Sequence, residues 1–176
     1  MFEIDQLVAD CKGALNETEP RRAVKEVLER AVQIPADVTA ALPTYRARIV
    51  PLYASDELSV LHVVWAPGMR LRPHNHLMWA AIALYGGQED NAFYRREGDG
   101  LAQSGGRVLR ERDVALLGDD TIHAVHNPCR TFTGAIHVYG GNITVQPGRS
   151  EWDEATGTEV PHDFERTRAY FEAANA

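Results

Sequence analysis

Cysteine is almost missing from this chain: Cys11 and Cys129 are the only two in 176 residues. That is too few for a disulfide framework, and neither has a second cysteine at chelating spacing. A thiolate zinc cage is thereby excluded, and both are expected to be reduced thiols. Clustered positive charge is missing as well. With 18 Lys+Arg against 25 Asp+Glu the net charge is -7, and no basic block interrupts the acidic excess. Nucleic acid and anionic membranes are therefore disfavoured as partners, because phosphate binding needs clustered cations. No apolar run approaches the roughly 20 residues of a membrane span. The start, Met1-Phe2-Glu3-Ile4-Asp5-Gln6, lacks the basic opening and apolar core of a secretion signal. The expectations are a cytoplasmic location and a small-molecule partner.

Internal repeats and low-complexity linkers are absent too, and 44% hydrophobic content over this length suits one domain with a substantial core. The expected organisation is a single domain over 1–176: a helical N-terminal layer at 1–44, a β-barrel core at 45–147 and a C-terminal extension with a short helix at 148–176. Ile4, Leu7, Val8, Cys11 and Leu15 repeat at helical spacing and predict a helix over 3–15. Thr18, Glu19 and Pro20 resemble a second helix start, with a capping hydroxyl and proline in the first turn; that helix should stop before Pro35. From Tyr45 the period changes to β-branched and aromatic runs at 48–53 and 58–65. Further short strands are predicted at 77–85, 91–96, 107–110, 113–117, 121–126 and 132–139, punctuated by glycine-rich turns. Many short strands at regular spacing predict a mainly β protein, an antiparallel sandwich or small barrel. Asp163 should cap a last helix with Phe164 and Phe171 facing inward.

The chemistry concentrates in the stretch from Gly68 to Gly87. His74 and His76, one residue apart, read as a strand with both imidazoles on one face, able to grip one metal. His123, or else His126, offers a third nitrogen on a later apolar strand. His126 should sit on the opposite strand face from His123, and His62 is the less convincing candidate. The first carboxylates after His76 are Glu89 and Asp90, so three histidines are favoured over two histidines plus a carboxylate. Such a site leaves positions open for substrate and oxygen.

Gly68-x5-His74-x-His76 and His123-x3-Asn127 resemble the two motifs of the cupin superfamily, a double-stranded β-helix that holds its metal inside the barrel. Gly118, Asp120 and Arg112 stand where the second motif usually has proline or glycine. Within the cupins, Pro73 to Gly87 and His137-Val138-Tyr139 look most like the thiol dioxygenases of the cysteine and 3-mercaptopropionate type. The resemblance implies that His74, His76 and His123 ligate Fe(II), with zinc, nickel or manganese as alternative metals. It implies that Tyr139 hydrogen-bonds near the site of the co-substrate O2, with His137 orienting it. The serine often found two residues before that histidine is Ala135 here. No cysteine stands near Ala81, which excludes a Cys–Tyr crosslink. The implied reaction oxidises a small thiol to a sulfinate. Another metal-dependent cupin enzyme, such as a carbon–carbon-cleaving dioxygenase or an isomerase, and a non-catalytic ligand-binding cupin are the alternatives.

Arg48 is the candidate substrate-binding residue, since an arginine that opens an apolar strand can turn into a barrel cavity and hold a carboxylate bidentately. The competing reading pairs it with a surface acid. Val- and Ile-rich strand edges leave a homo-oligomer open.

Overall fold

A computed structural model describes residues 1–176. Three helices come first: α1 (Ile4–Ala14), α2 (Pro20–Ala31) and α3 (Pro35–Ala41). The third was not expected. Pro35 does end the run before it, but its fixed φ also starts a new helix from the first position, where the missing N–H costs nothing. The cap before α2 differs as well: Glu19 is the boundary residue and no side chain caps the helix, so the Thr18 hydroxyl does not play that part. Leu7, Cys11, Val24, Leu28 and Val38 from these helices form one apolar cluster with Ala81, Ala83, Ile136 and Val138 of the sheet beneath. Leu28 is wholly buried there, and truncating such a leucine to alanine costs about 2–5 kcal/mol.

Eleven strands follow: β1 (Arg48–Ala54), β2 (Ser59–Trp65), β3 (Arg70–Asn75), β4 (Ala80–Gly86), β5 (Gln88–Glu97), β6 (Gly100–Arg110), β7 (Val114–Leu117), β8 (Ile122–His126), β9 (Thr133–Tyr139), β10 (Ser150–Trp152) and β11 (Glu159–Pro161), and α4 (Phe164–Ala173) closes the chain. They form two sheets, one ordered β1-β2-β9-β4-β7 and one ordered β11-β10-β3-β8-β5-β6. Every strand pair is antiparallel. The five-stranded sheet is covered on both faces, by the helices outside and, inside, by another apolar cluster that includes Ile49, Leu61, Val63, Trp65, Ile82 and Leu84. This explains why β2 and β9 are buried at every position.

The stretch around the histidine pair is two strands rather than one. β3 stops at Asn75, and Leu77 adopts a left-handed φ of 55° before β4 begins. Gly105 and Gly106, expected to punctuate, lie inside β6. At Gly87, φ is 78° and an added Cβ would lie 2.1 Å from Thr133 Oγ1, so both backbone and space demand glycine. The segment after 148 is part of the barrel wall, because β10 pairs with β3 through Glu151 and His74. Asp163 caps α4 by accepting from Arg166 N, and Phe171 is fully buried.

Candidate metal centre

Three histidines meet inside the barrel. His74, near the end of β3, is paired in register with His123 on β8, and His76 reaches the same point from just beyond β3. Their ligand atoms all lie within 4.8 Å of one another, and all three residues are buried. His74 Nδ1 donates to Arg72 O at 3.0 Å, and His123 Nδ1 donates to Asn91 Oδ1 at 2.8 Å. With those protons placed, both Nε2 atoms are bare lone pairs. His76 Nε2 lies 3.2 Å from one and 3.3 Å from the other. His76 Nδ1 has no partner, and a proton on His76 Nε2 could satisfy only one of the two lone pairs beside it, whereas nitrogens about 2.0–2.1 Å from one common ion have separations of this size. The group can hold a metal ion, and the donor set, three neutral nitrogens without a carboxylate, suits a first-row transition metal.

Burial keeps these rings neutral. It depresses the His74 pKa to about 4, helped by the nearby Arg149. His76 and His123 are pushed well below the ordinary value, first by burial and then by neighbouring histidines. A base that refuses protons in this way is ready to coordinate.

The opposite wall belongs to β9. Ala135, His137 and Tyr139 alternate onto its inner face, and the Tyr139 ring packs edge-on against His76 with centroids 5.0 Å apart. Tyr139 OH and His137 Nδ1 are 3.1 Å apart. Ile49, Leu61, Val63, Trp65 and Phe164 supply the apolar lining, and His162 and Arg149 also reach the cavity. Its volume, counted as space open to a water's centre, is about 30 Å³. A water needs about 10–15 Å³ on that measure, so the site takes only a small molecule.

Arg48 does not reach this cavity. Cross-strand partners share a face, and Arg48 lies opposite Val64 while Val50 lies opposite His62. That is the helix-facing side, where the Arg48 charge helps burial depress the His62 pKa to about 4 and its guanidinium stacks on Tyr45 at 5.7 Å. Ala47 and Ile49 take the inner face instead. The arginine that does line the cavity is Arg149, 7% exposed, just before β10. Its Nε donates to Asn75 O at 3.0 Å and its Nη1 to Ile143 O at 3.1 Å. Burial lowers its pKa to about 10, against the pull of Tyr139 and Glu151, so it stays charged at neutral pH.

His126 points away from the ligands; it pairs with Arg70 and Asp90 at the sheet's outer face. His62 donates to Tyr85 OH at 2.7 Å, and Tyr85 in turn donates to Leu42 O, which makes it a packing group behind the sheet. Asn127 is structural too. Its side chain donates to Trp65 O, Ala66 O and Thr131 O and accepts from Cys129 N and Thr133 Oγ1, which pins the β8–β9 turn.

No protein-family model matches the sequence and no curated protein matches it. Solved structures do. The protein BH2720 of Bacillus halodurans has a TM-score of 0.52 at 17% identity, over 60% of this chain and 78% of that one. An uncharacterized conserved protein with a double-stranded beta-helix domain from Klebsiella pneumoniae subsp. pneumoniae has a TM-score of 0.48 at 14% identity, over 62% of this chain and 82% of its own. An RmlC-like cupin family protein with a double-stranded beta-helix fold from Methanocaldococcus jannaschii has a TM-score of 0.45 at 10% identity, over 54% and 80%. Likeness at such identities concerns the fold and not the activity. With two facing antiparallel sheets and three histidines gathered in the cavity between them, the chain has a double-stranded β-helix fold.

Proposed function

We propose that the protein is a non-heme iron thiol dioxygenase that converts a small thiol to its sulfinate with O2. The observation that carries this reading is the composition of one small cavity: three neutral histidines on one wall, a Tyr139–His137 pair on the other, and Arg149 at its edge. An Fe(II) ion held by His74, His76 and His123 would supply redox chemistry with O2 and an open position for a thiolate. The remaining work falls to the chain. Arg149 binds the substrate's carboxylate, its planar guanidinium giving a fixed orientation as well as charge. The apolar lining excludes bulk water and strengthens that attraction. Tyr139 keeps its hydroxyl proton, because burial raises its pKa; that proton points to His137 Nδ1, and the hydroxyl oxygen is left to accept from the substrate.

Arg149 also favours a second reading, a cupin enzyme acting on another small carboxylate, since a guanidinium recognises the carboxylate and not the sulfur. The deciding experiment loads the purified protein with Fe(II) without air, adds cysteine, 3-mercaptopropionate or cysteamine, and then admits oxygen. Oxygen uptake with a sulfinate found by mass spectrometry supports the dioxygenase. No uptake with any of the three would turn the assignment to the second reading.

A further inference from the structure

Glu89, the second residue of β5, is fully buried, and neither of its carboxylate oxygens has a hydrogen-bond partner. A buried charge with no partner is strongly unfavourable. The group set against it is His137, whose Nε2 lies 3.5 Å from Glu89 Oε1 and is itself buried and unpartnered. β5 belongs to one sheet and β9 to the other, so this contact joins the two walls of the barrel. Alternation along β5 explains the placement. Glu89 and Asn91 share the inner face; Asn91 holds the ligand His123, and Glu89 faces His137. Ala135, on the same face as His137, can offer no side-chain hydrogen bond.

We propose that Glu89 is a positioning residue: its carboxylate faces the His137 Nε2–H, fixes Nδ1 as the acceptor of the Tyr139 hydroxyl, and completes a relay Glu89–His137–Tyr139 that ends in the cavity. A carboxylate behind an imidazole fixes the tautomer and stabilises the charged ring. The relay gives the proton of an acidic substrate group a way out. The Tyr139 oxygen takes that proton as the Tyr139 hydroxyl passes its own to His137 Nδ1. The substrate is left as the anion, Tyr139 is neutral again, and the imidazolium lies against Glu89. The use of the relay rests on the thiol reading, while its geometry does not.

Long-range proton–nitrogen NMR correlations of the imidazole rings, in purified full-length protein without added metal, read the His137 tautomer directly. The wild type should carry its proton on Nε2 with Nδ1 bare. Glu89→Gln should keep that tautomer, because the carboxamide oxygen still accepts, and Glu89→Leu should move the proton to Nδ1. A wild-type ring protonated at Nδ1 overturns the proposal, and so does an unchanged ring in Glu89→Leu; the wild-type spectrum decides even if the leucine variant does not fold. In the iron-loaded enzyme, Glu89→Gln should lower kcat about tenfold or more on a thiol that turns over, with KM within about twofold. An unchanged kcat would remove the relay. Absence of turnover with every thiol counts against the dioxygenase alone, and the tautomer then decides the relay.

Discussion

His123 Nδ1 donates to Asn91 Oδ1 at 2.8 Å, with both residues buried, and this one bond aims the His123 lone pair at the other two histidines. Such partners of a ligating imidazole typically contribute about 10–100-fold to metal affinity. Asn91→Leu should therefore weaken binding of a first-row metal by that factor, while Asn91→Asp, which still accepts the bond, should not. His74→Ala and His123→Ala should leave little metal at all. Elemental analysis and chelator competition on the purified variants measure this, and full-strength binding in Asn91→Leu would show that packing alone orients the ring.

Arg149 and Arg48 make opposite predictions. Arg149→Lys keeps a charge but loses the planar fork, so a carboxylate thiol should show a KM raised at least tenfold, about 1.4 kcal/mol or more. Cysteamine, which has no carboxylate, should change little. Arg48→Ala, whose side chain lies on the helix-facing side, should alter neither. Steady-state kinetics on the two thiols provide the check, and a KM effect confined to Arg48→Ala would reverse the assignment of the two arginines.

The histidines were legible because metal binding needs particular residue types at short spacing, and His74-x-His76 states that spacing openly. Arg149, Glu89 and Asn91 were not. Arg149 lines the cavity, and Glu89 and Asn91 stand behind His137 and His123, through pairings between distant strands, such as β10 with β3 and β5 with β8, which no local pattern encodes. Glu89 and Asn91 sit in the unbroken polar run Gln88-Glu89-Asp90-Asn91, where no alternation distinguishes an inward-facing residue from an exposed one. The face taken by Arg48 is hidden for a related reason. Alternation shows that Arg48 and Ile49 face opposite ways, and only the position of the helices tells which way is in. α3 is not legible because a proline that stops one helix serves equally to start the next, as Pro35 does.

Arg112 holds a φ of 73°, left-handed for a residue with a β-carbon, while its N–H donates to Leu84 O at 2.8 Å. That conformation costs an L-residue about 1–2 kcal/mol and costs glycine nearly nothing. Arg112→Gly should keep the backbone bond and stabilise the protein by up to about 1 kcal/mol once the glycine's greater unfolded freedom is subtracted. Chemical denaturation measures it; a loss of stability would mean that the arginine side chain contributes more than its backbone costs.

His62 makes the fold sensitive to acid independently of any metal. It is 3% exposed, its Nε2 is committed to Tyr85 OH, and burial together with the Arg48 charge lowers its pKa from 6.5 to about 4. Below pH 6.5 the unfolded chain takes up a proton at His62 that the folded chain refuses until about pH 4. The unfolded state thus binds more protons in that window, and stability must fall as the pH falls through it. One such group can remove up to about 3 kcal/mol by the bottom of the window. His62→Gln retains a donor for Tyr85 but has nothing to protonate, so its denaturation midpoint should decline less steeply with acid than that of the wild type. Chelator in both samples keeps the three cavity histidines metal-free, and their shared titration cancels in the difference. Parallel pH profiles for the two proteins would show that His62 is protonated as readily folded as unfolded.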